Sequence, residues 1–332
     1  MPKISVITCT CRDNPNLDKM AQCLVDQTFT DFEWVIVDRK LRTRPTYYNI
    51  VRRIVGGKFP VRVIEPKWSI YHDFNMPAMS NARNSGIMEA QGDILVWVDD
   101  NIWFKPDFLY RHYKGNQVTY SYDGNPCHMV GLGWSFKDWH NVADLATHEP
   151  FDLNNAFCRT GSFDANNTQN LRDTSASLAD DPRAYANYPQ PSGKPIMIGD
   201  YELVSGAWCY GRNMSMSLEA SLAINGNDED YDGVPEPQDC DYGLRLNNYG
   251  VHTILDRQCC VYEYLGDDNK VMQSVHPFLW GHIGEVNGIK VTRGEYRIWA
   301  IMKTPTRWRA NAHFDLRADR DEFRGTTYRV GI

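Results

Sequence analysis

Along the first hundred residues the apolar positions fall into short unbroken runs, separated by stretches of helical spacing. Ile4–Thr8 (ISVIT), Trp34–Val37 (WVIV), Val61–Ile64 and Ile94–Val98 (ILVWV) are rich in β-branched side chains, the pattern of strands covered on both faces. Asn16–Gln27 carries Leu17, Met20, Cys23 and Leu24 at helical intervals, and Thr46–Val55 and Met79–Ala90 also read as helices. Strands that alternate with helices in this way predict βαβ units, hence an α/β fold with a mostly parallel sheet flanked by helices.

The pattern dissolves over residues 115–200, which are rich in Asn, Asp, Gly, Pro and Ser and broken by aromatic stretches such as GLGWSFKDWH. A segment this long is expected to be an irregular insertion, a lid or an acceptor region, rather than an ordinary connection. Regular structure resumes at Gly206–Tyr210. Helices are predicted over Met214–Ile224 and Glu236–Tyr249, the latter stopped by Gly250, and strands over Val251–Leu255 and Cys259–Tyr264. A carboxyl-terminal extension follows over residues 266–332, with one further helix expected at Thr292–Met302.

The chemistry-bearing residues follow the strands. Thr8 to Arg12, Asp38 and Asp99–Asn101 stand at the carboxyl ends of three predicted strands, where the loops of an open α/β sheet converge on a ligand crevice. One Asp at such a place is as well explained as a helix cap, but three polar clusters together favour a site. Mg²⁺ or Mn²⁺ takes hard oxygen ligands, and Asp99 and Asn101, two residues apart in extended chain, project to the same side, with Asp100 opposite.

In chain order, ISVITCT, WVIVDRK, NARNSGI, GDILVWVDDN and INGNDEDYDG…PQDCDYGLRLNNYG resemble the family 2 glycosyltransferases and their relatives with the GT-A fold. The last stretch is most similar to the galactosyltransferase-type acceptor motif. The resemblance spans roughly the first 110 residues and then Gly206–Gly250. It implies a GT-A-type nucleotide-diphospho-sugar transferase: residues 1–114 would bind the nucleotide-sugar, 115–200 form the insertion, and 201–265 form the acceptor and catalytic half. Thr8, Thr10, Arg12, Asp38, Asn81, Arg83, Asp99 and Asp100 would then line the nucleotide, with Asp38 on the base.

Asp99 and Asn101 match the outer positions of the D-x-D metal motif, although an amide replaces the second carboxylate and lowers the expected metal affinity. A further ligand is expected after the last core strand, where Glu263, His276 and His282 are available and His276 is the first choice. Asp239 takes the place of the catalytic base in an inverting transfer, and Asp241 fits a helix-dipole role as well as an acceptor role. Trp208, Asp232 and Asp241 are the acceptor candidates, with Glu229, Trp134 and Trp139 beside them.

Composition narrows the partners. A formal net charge of −7 gives no whole-chain field for nucleic acid or an anionic membrane. The last forty-odd residues nevertheless hold nine Lys and Arg interleaved with Asp315, Asp319, Asp321 and Glu322, a solvated salt-bridge face or a basic stripe. The 9 cysteines include no C-x-x-C pair, MPKISVITCT has no signal-peptide architecture, and no apolar run reaches the roughly 20 residues of a membrane span.

The expectation is a cytoplasmic, metal-assisted inverting glycosyltransferase that uses Mn²⁺ or Mg²⁺ and a UDP-linked donor, with a glycan or small glycoside as acceptor. No membrane and no obligate protein partner are expected. Two alternatives compete: a virus-type DNA glycosyltransferase acting on hydroxymethylated bases, and a non-catalytic sugar-nucleotide-binding protein. A nucleotidyltransferase is disfavoured, since no Gly-rich loop with a following Arg or Lys comes after the first strand.

Overall fold

The computed structural model describes residues 1–73, 78–136, 196–209, 211–233, 238–264, 282–286, 289–292 and 307–331. Its amino-terminal part runs β1 (Ile4–Thr10), α1 (Leu17–Val25), β2 (Phe32–Asp38), α2 (Tyr48–Val55), β3 (Val61–Ile64), the short helix α3 (Ile70–Asp73), α4 (Met79–Glu89) and β4 (Ile94–Trp97). Strands β3, β2, β1 and β4 lie side by side and all parallel, as the apolar runs predict. Alternation along β1 sends Ile4 and Val6 to one face and Ile7 to the other. The first face is covered by Leu17, Met20 and Leu24 of α1 and Val51 and Val55 of α2, the second by Ile87 and Met88 of α4.

Further strands extend the sheet. After β5 (Ile102–Phe104) and α5 (Phe108–Gly115) come β6 (Cys127–Phe136), β7 (Met197–Ile198), β8 (Tyr201–Val204), β9 (Met214–Ser217), α6 (Leu218–Ala223), α7 (Gln238–Tyr249) and β10 (His252–Tyr264). The order across the sheet continues β4-β9-β6-β10-β8-β7, with β5 pairing β10. Strand β9 is antiparallel to both β4 and β6, while β6 and β10 run parallel. Beyond β10 lies the small hairpin of β11 (His282–Val286) and β12 (Ile289–Thr292). Helix α8 (Arg320–Thr326) and β13 (Arg329–Gly331) bring the chain back, and β13 pairs antiparallel with β3 at the opposite edge of the sheet.

Three expectations change. The helix expected over Met214–Ile224 begins as strand β9: Met214 and Met216 enter the core while Ser215, on the other face, meets His112 Nδ1 at 2.8 Å. Ser217 then caps the helix, its Oγ accepting from Ala220 N at 3.1 Å. Second, the segment expected to be irregular from residue 115, where α5 ends, contains β6, an inner strand of the sheet. Glycine in β6 reflects close approach rather than a loop. A Cβ at Gly131 would lie 2.2 Å from the Cys259 carbonyl, and one at Gly133 would lie 2.5 Å from Arg212 Nε. Third, the two strands expected over 251–264 are one, with its register broken between Asp256 and Cys260.

The described carboxyl-terminal arginines are fasteners rather than a stripe. Arg320 donates to the carbonyls of Ile87 and Ala90, and Arg324 to those of Met88, Glu89 and Ala90, the unpaired end of α4. Arg307 pairs with Asp228, Arg317 with Glu219, and Arg329 with Glu89. Asn225 donates to the carbonyls of Ala310, Asn311 and Phe314 and accepts from Leu316 N, locking this segment onto the INGND loop. The helix expected at Thr292–Met302 lies outside the described residues, apart from Thr292, which ends β12. No disulfide joins the described cysteines, and no described helix is long and apolar enough to cross a membrane.

Candidate functional site

Helix α4 is the unusual element: Ser80 to Glu89 are buried, with only Ala82 half-buried, yet Asn81, Arg83, Asn84 and Ser85 are polar. A polar helix survives burial only if its groups find partners. Asn84 is held by Asn227 and Glu229, with its Nδ2 2.9 Å from the Asn227 carbonyl and 2.7 Å from Glu229 Oε1. Arg83 crosses to the carboxyl ends of the strands, where its guanidinium lies 5.0 Å over the Trp97 ring and pairs with Asp239 in the first turn of α7. Gly211 makes this passage possible, since a Cβ there would fall 1.7 Å from Arg83 Nη2, and its backbone N–H donates to Asp239 Oδ2 at 2.7 Å.

Between β4 and β5 the chain places Asp99, Asp100 and Asn101. Asp100 turns toward β1, accepting from Thr10 Oγ1 at 2.5 Å and Arg12 Nε at 2.9 Å. Asn101 turns toward β10, its Nδ2 3.5 Å from Glu263 Oε1, and Glu263 is paired with Arg212. Three of the four carboxylates at this point thus have a guanidinium partner: Asp100 with Arg12, Asp239 with Arg83, and Glu263 with Arg212. Asp99 has no such partner among the described residues. Its burial pushes the carboxyl up to about 7; Arg83 counters this, while Glu263, Asp239 and Asp100 add to it.

That imbalance bears on a divalent cation. Among the described residues no group of three His, Cys, Asp or Glu side chains is arranged to hold one. Mg²⁺-type sites, however, are commonly made of one or two carboxylates completed by substrate phosphate oxygens. A carboxylate crowded by other carboxylates and destabilised in its charged form is the side chain a cation would relieve. Asp99 therefore fits such an ion in an incomplete set.

Other expected residues sit elsewhere. Thr8 is fully buried on the α1 side of β1, accepting from Trp34 Nε1 at 3.0 Å, so it cannot reach a nucleotide. Asp38 is 0% exposed and saturated: Arg44 reaches it from Nε and Nη2 at 2.9 and 2.7 Å, the Tyr48 hydroxyl at 2.6 Å and the Lys40 amide at 2.8 Å. A base could meet this carboxylate only by displacing Arg44. Asp232 caps α4, accepting from Ser80 N at 2.9 Å and Asn81 N at 3.1 Å, with burial pushing its carboxyl up to about 8. Asp241 is buried against Arg245 at 2.8 Å, and Trp208 is a core residue at 2% exposure with no face to offer an acceptor. Asn81 is buried in the first turn of α4, its Nδ2 3.5 Å from the Trp68 carbonyl. His276 and Trp139 fall outside the described residues, as do the side chains of Trp134 and His282.

The sequence reading missed Arg212, Arg44 and Gly211. Arg44 could have been suspected, six residues after a buried strand-end Asp. Nothing local marks Arg212 or Gly211, whose partners are far away in sequence.

Residues 5–117 match the family model described as Glycosyl transferase family 2. Among solved structures, S. aureus TarS 1-349 in complex with UDP-GlcNAc is similar at 11% identity and a TM-score of 0.52, over 97% of this chain and 70% of that one. A mannosyltransferase from Pyrobaculum calidifontis, in complex with GDP-Man and Mn²⁺, is similar at 13% identity and a TM-score of 0.47, over 83% of this chain. The chain spans 59% of that protein's length. No curated protein matches. From the parallel amino-terminal strands, the carboxylates closing β4 and the match over residues 5–117, the chain resembles the family 2 glycosyltransferases and has the GT-A fold.

Proposed function

We propose that the protein is a metal-assisted inverting glycosyltransferase that moves a sugar from a nucleotide-sugar, with UDP-linked donors the first choice, to a hydroxyl acceptor. The observation that carries this is the gathering of Asp100, Asp239, Glu263 and the Arg83 guanidinium around Asp99, just past the carboxyl end of β4. Donor binding falls to the loop after β1 and to Asp99–Asn101. Thr10 and Arg12 fix the Asp100 carboxylate and with it the turn that presents Asp99. Mn²⁺ or Mg²⁺, held by Asp99 with Asn101 beside it, would supply positive charge to the diphosphate leaving group.

Asp239 is the proposed base. Arg83 and the Gly211 amide orient its carboxylate, and it keeps part of its surface open to solvent. It takes the acceptor hydroxyl proton as that oxygen bonds to the anomeric carbon and the bond from carbon to diphosphate oxygen breaks on the opposite face. The acceptor is a glycan or small glycoside, and the cytoplasm is the proposed location. DNA bearing hydroxymethylated bases loses support, because the described carboxyl-terminal arginines are engaged within the fold.

The non-catalytic reading draws on the Arg partners of Asp100, Asp239 and Glu263, which leave Asp99 as the carboxylate of this group with no ion pair of its own among the described residues. Asp239→Asn separates the two. Under the proposal, transfer falls about a hundredfold or more while donor affinity, measured by thermal shift with nucleoside diphosphates and Mn²⁺, is kept. Unchanged transfer in that variant would remove Asp239 from the mechanism. Nucleotide binding with neither transfer nor donor hydrolysis in the unaltered protein would favour the binding-only reading.

A further inference from the structure

The carboxyl ends of β2 and β3 carry a cavity of about 570 Å³ that the catalytic proposal does not use. One side is formed after β2 and after β3, where Arg42, Glu65 and Trp68 stand, and the other by the stretch around the join of α8 and β13, with Tyr328. The second side lies outside residues 5–117, so the family match does not account for it. The cations at this cavity are already answered. Lys67 Nζ lies 2.5 Å from Glu229 Oε1, Arg42 Nε donates to Glu65 Oε2 at 2.8 Å, and Arg39 donates to the His72 carbonyl at 2.6 Å. The lining therefore suits a neutral occupant, and what it presents is ring surface and hydrogen-bonding groups with capacity left. Trp68 is 74% exposed and Tyr328 42% exposed. Among the described residues the Arg42–Glu65 pair uses one guanidinium N–H and one carboxylate oxygen, so further donors and an acceptor stand side by side.

The Trp68 ring is exposed on a fixed main chain. The Lys67 amide donates to Ser85 Oγ at 2.9 Å and the Trp68 carbonyl faces Asn81 Nδ2 at 3.5 Å, both partners being buried in α4. The Lys67 ammonium also stands 3.8 Å over the Phe314 ring. A ring whose attachment is already immobile loses less freedom when a ligand covers it. The same stretch touches the loop that precedes α7 and Asp239 in the chain. Glu229 of that loop pairs with Lys67, and a Cβ at Gly233 would lie 2.5 Å from the Tyr71 ring.

We propose that this cavity, with Trp68 as its platform, binds a neutral sugar ring of the acceptor, so that the acceptor is an oligosaccharide held at a ring other than the one that reacts. The role as acceptor subsite rests on the glycosyltransferase reading; the sugar site itself does not. A pyranose suits the lining on two counts. Its C–H face is apolar and slightly positive, which meets the negative face of an indole. Its adjacent hydroxyls both donate and accept, and a guanidinium beside a carboxylate answers both without a change in net charge. The bound ring is not the reacting one, because neither Asp239 nor any of Asp99–Asn101 lines the cavity, and β4 lies three strands across the sheet from β3.

The test is equilibrium binding, by titration calorimetry on the full chain, with cellotetraose, maltotetraose and chitotetraose as probes and UDP with Mn²⁺ as the donor-site control. At least one tetrasaccharide is expected to bind, with an affinity that changes by less than about twofold when the salt is raised tenfold, as befits a neutral ligand. Trp68→Ala should weaken it about tenfold or more, Trp68→Tyr should restore most of that loss, and Glu65→Ala should weaken it about threefold. UDP affinity should stay within about twofold in all three variants, and the sugar should bind about equally well to protein saturated with UDP and Mn²⁺. The Trp68 ring is exposed, so its removal leaves the core intact, and an unchanged melting temperature checks this.

Failure of all three tetrasaccharides to bind overturns the proposal, and so does binding that is indifferent to Trp68→Ala. A loss of UDP affinity in Trp68→Ala, or exclusion of the sugar by UDP, also overturns it and gives the cavity to the base of the donor. Failure of every nucleoside diphosphate to bind, with sugar binding still dependent on Trp68, would instead sink the glycosyltransferase reading and leave a sugar site without its assigned role.

Discussion

Replacing Asp99 by Asn should make the protein more stable, and only above a particular pH. The Asp99 carboxyl is raised from 3.8 to about 7, chiefly by burial, with Glu263, Asp239 and Asp100 adding to the effect. Between those two values the native state holds a proton that the unfolded state has released. Stability of the natural protein therefore falls as pH rises through that window, and the loss is complete above pH 7. A little over three powers of ten in proton affinity corresponds to about 4 kcal/mol as a ceiling. Asp99 keeps part of its surface in water, which screens its neighbours and brings the expectation nearer 2 kcal/mol.

Asn has no charge to desolvate, so the stability gap in favour of Asp99→Asn should be small near pH 4, grow to pH 7 and then level off. Urea unfolding of both proteins at matched pH values measures this, with titrations common to the two cancelling in the difference. Added Mn²⁺ should raise the natural protein's midpoint at pH 8 and leave that of the variant unmoved. A gap that is the same at pH 5 and pH 8, or a variant less stable than the natural protein at pH 8, would refute the reasoning.

Other perturbations follow from the same geometry. Gly211→Ala puts a methyl group where the Arg83 guanidinium passes and should cost about 2–3 kcal/mol, read as a fall in melting temperature with loss of nucleotide-induced stabilisation. Asn225→Ala removes the donors to three carbonyls and the acceptor for Leu316 N; a loss of about 2–4 kcal/mol is expected, with faster proteolysis of the 307–331 segment. Arg44→Met leaves the fully buried Asp38 carboxylate without its guanidinium and should cost about 3–5 kcal/mol by chemical denaturation, part of it recovered in an Arg44→Met/Asp38→Leu double variant.

The amino-terminal half was legible because strands covered on both faces need continuous apolar runs, and ISVIT, WVIV and ILVWV are such runs. Residues 214–217 were harder. MSMS fits helical and extended periodicities alike, and only its position between β4 and β6 makes it a strand. Strand β6 was hidden by its glycines, whose missing side chains make room for Asn213 and Arg212 from distant sequence. At the site, the sequence located the carboxylates but not their charge partners. Asp99 stood out as a carboxylate at a strand end and Arg83 through the family resemblance, whereas the pairings Asp38–Arg44 and Glu263–Arg212 exist only after the chain has folded. Trp208 lies in the core and Asp241 in a buried pair with Arg245, surroundings that residue type alone does not reveal.

The pairing of β13 with β3 has a consequence in time. Ribosomes deliver the chain from its amino terminus, so β3 exists long before Arg329–Gly331 emerge to cover it. Throughout that interval Arg62, Val63 and Ile64 present an open strand edge, a template for any extended segment nearby, including the same segment of a neighbouring nascent chain. The Arg62 side chain, held in place by Glu33 and Glu89, keeps a charge on that edge meanwhile. Slowing translation over the last third of the message should therefore raise the aggregated fraction more than slowing it over the first third, even though the finished protein is the same.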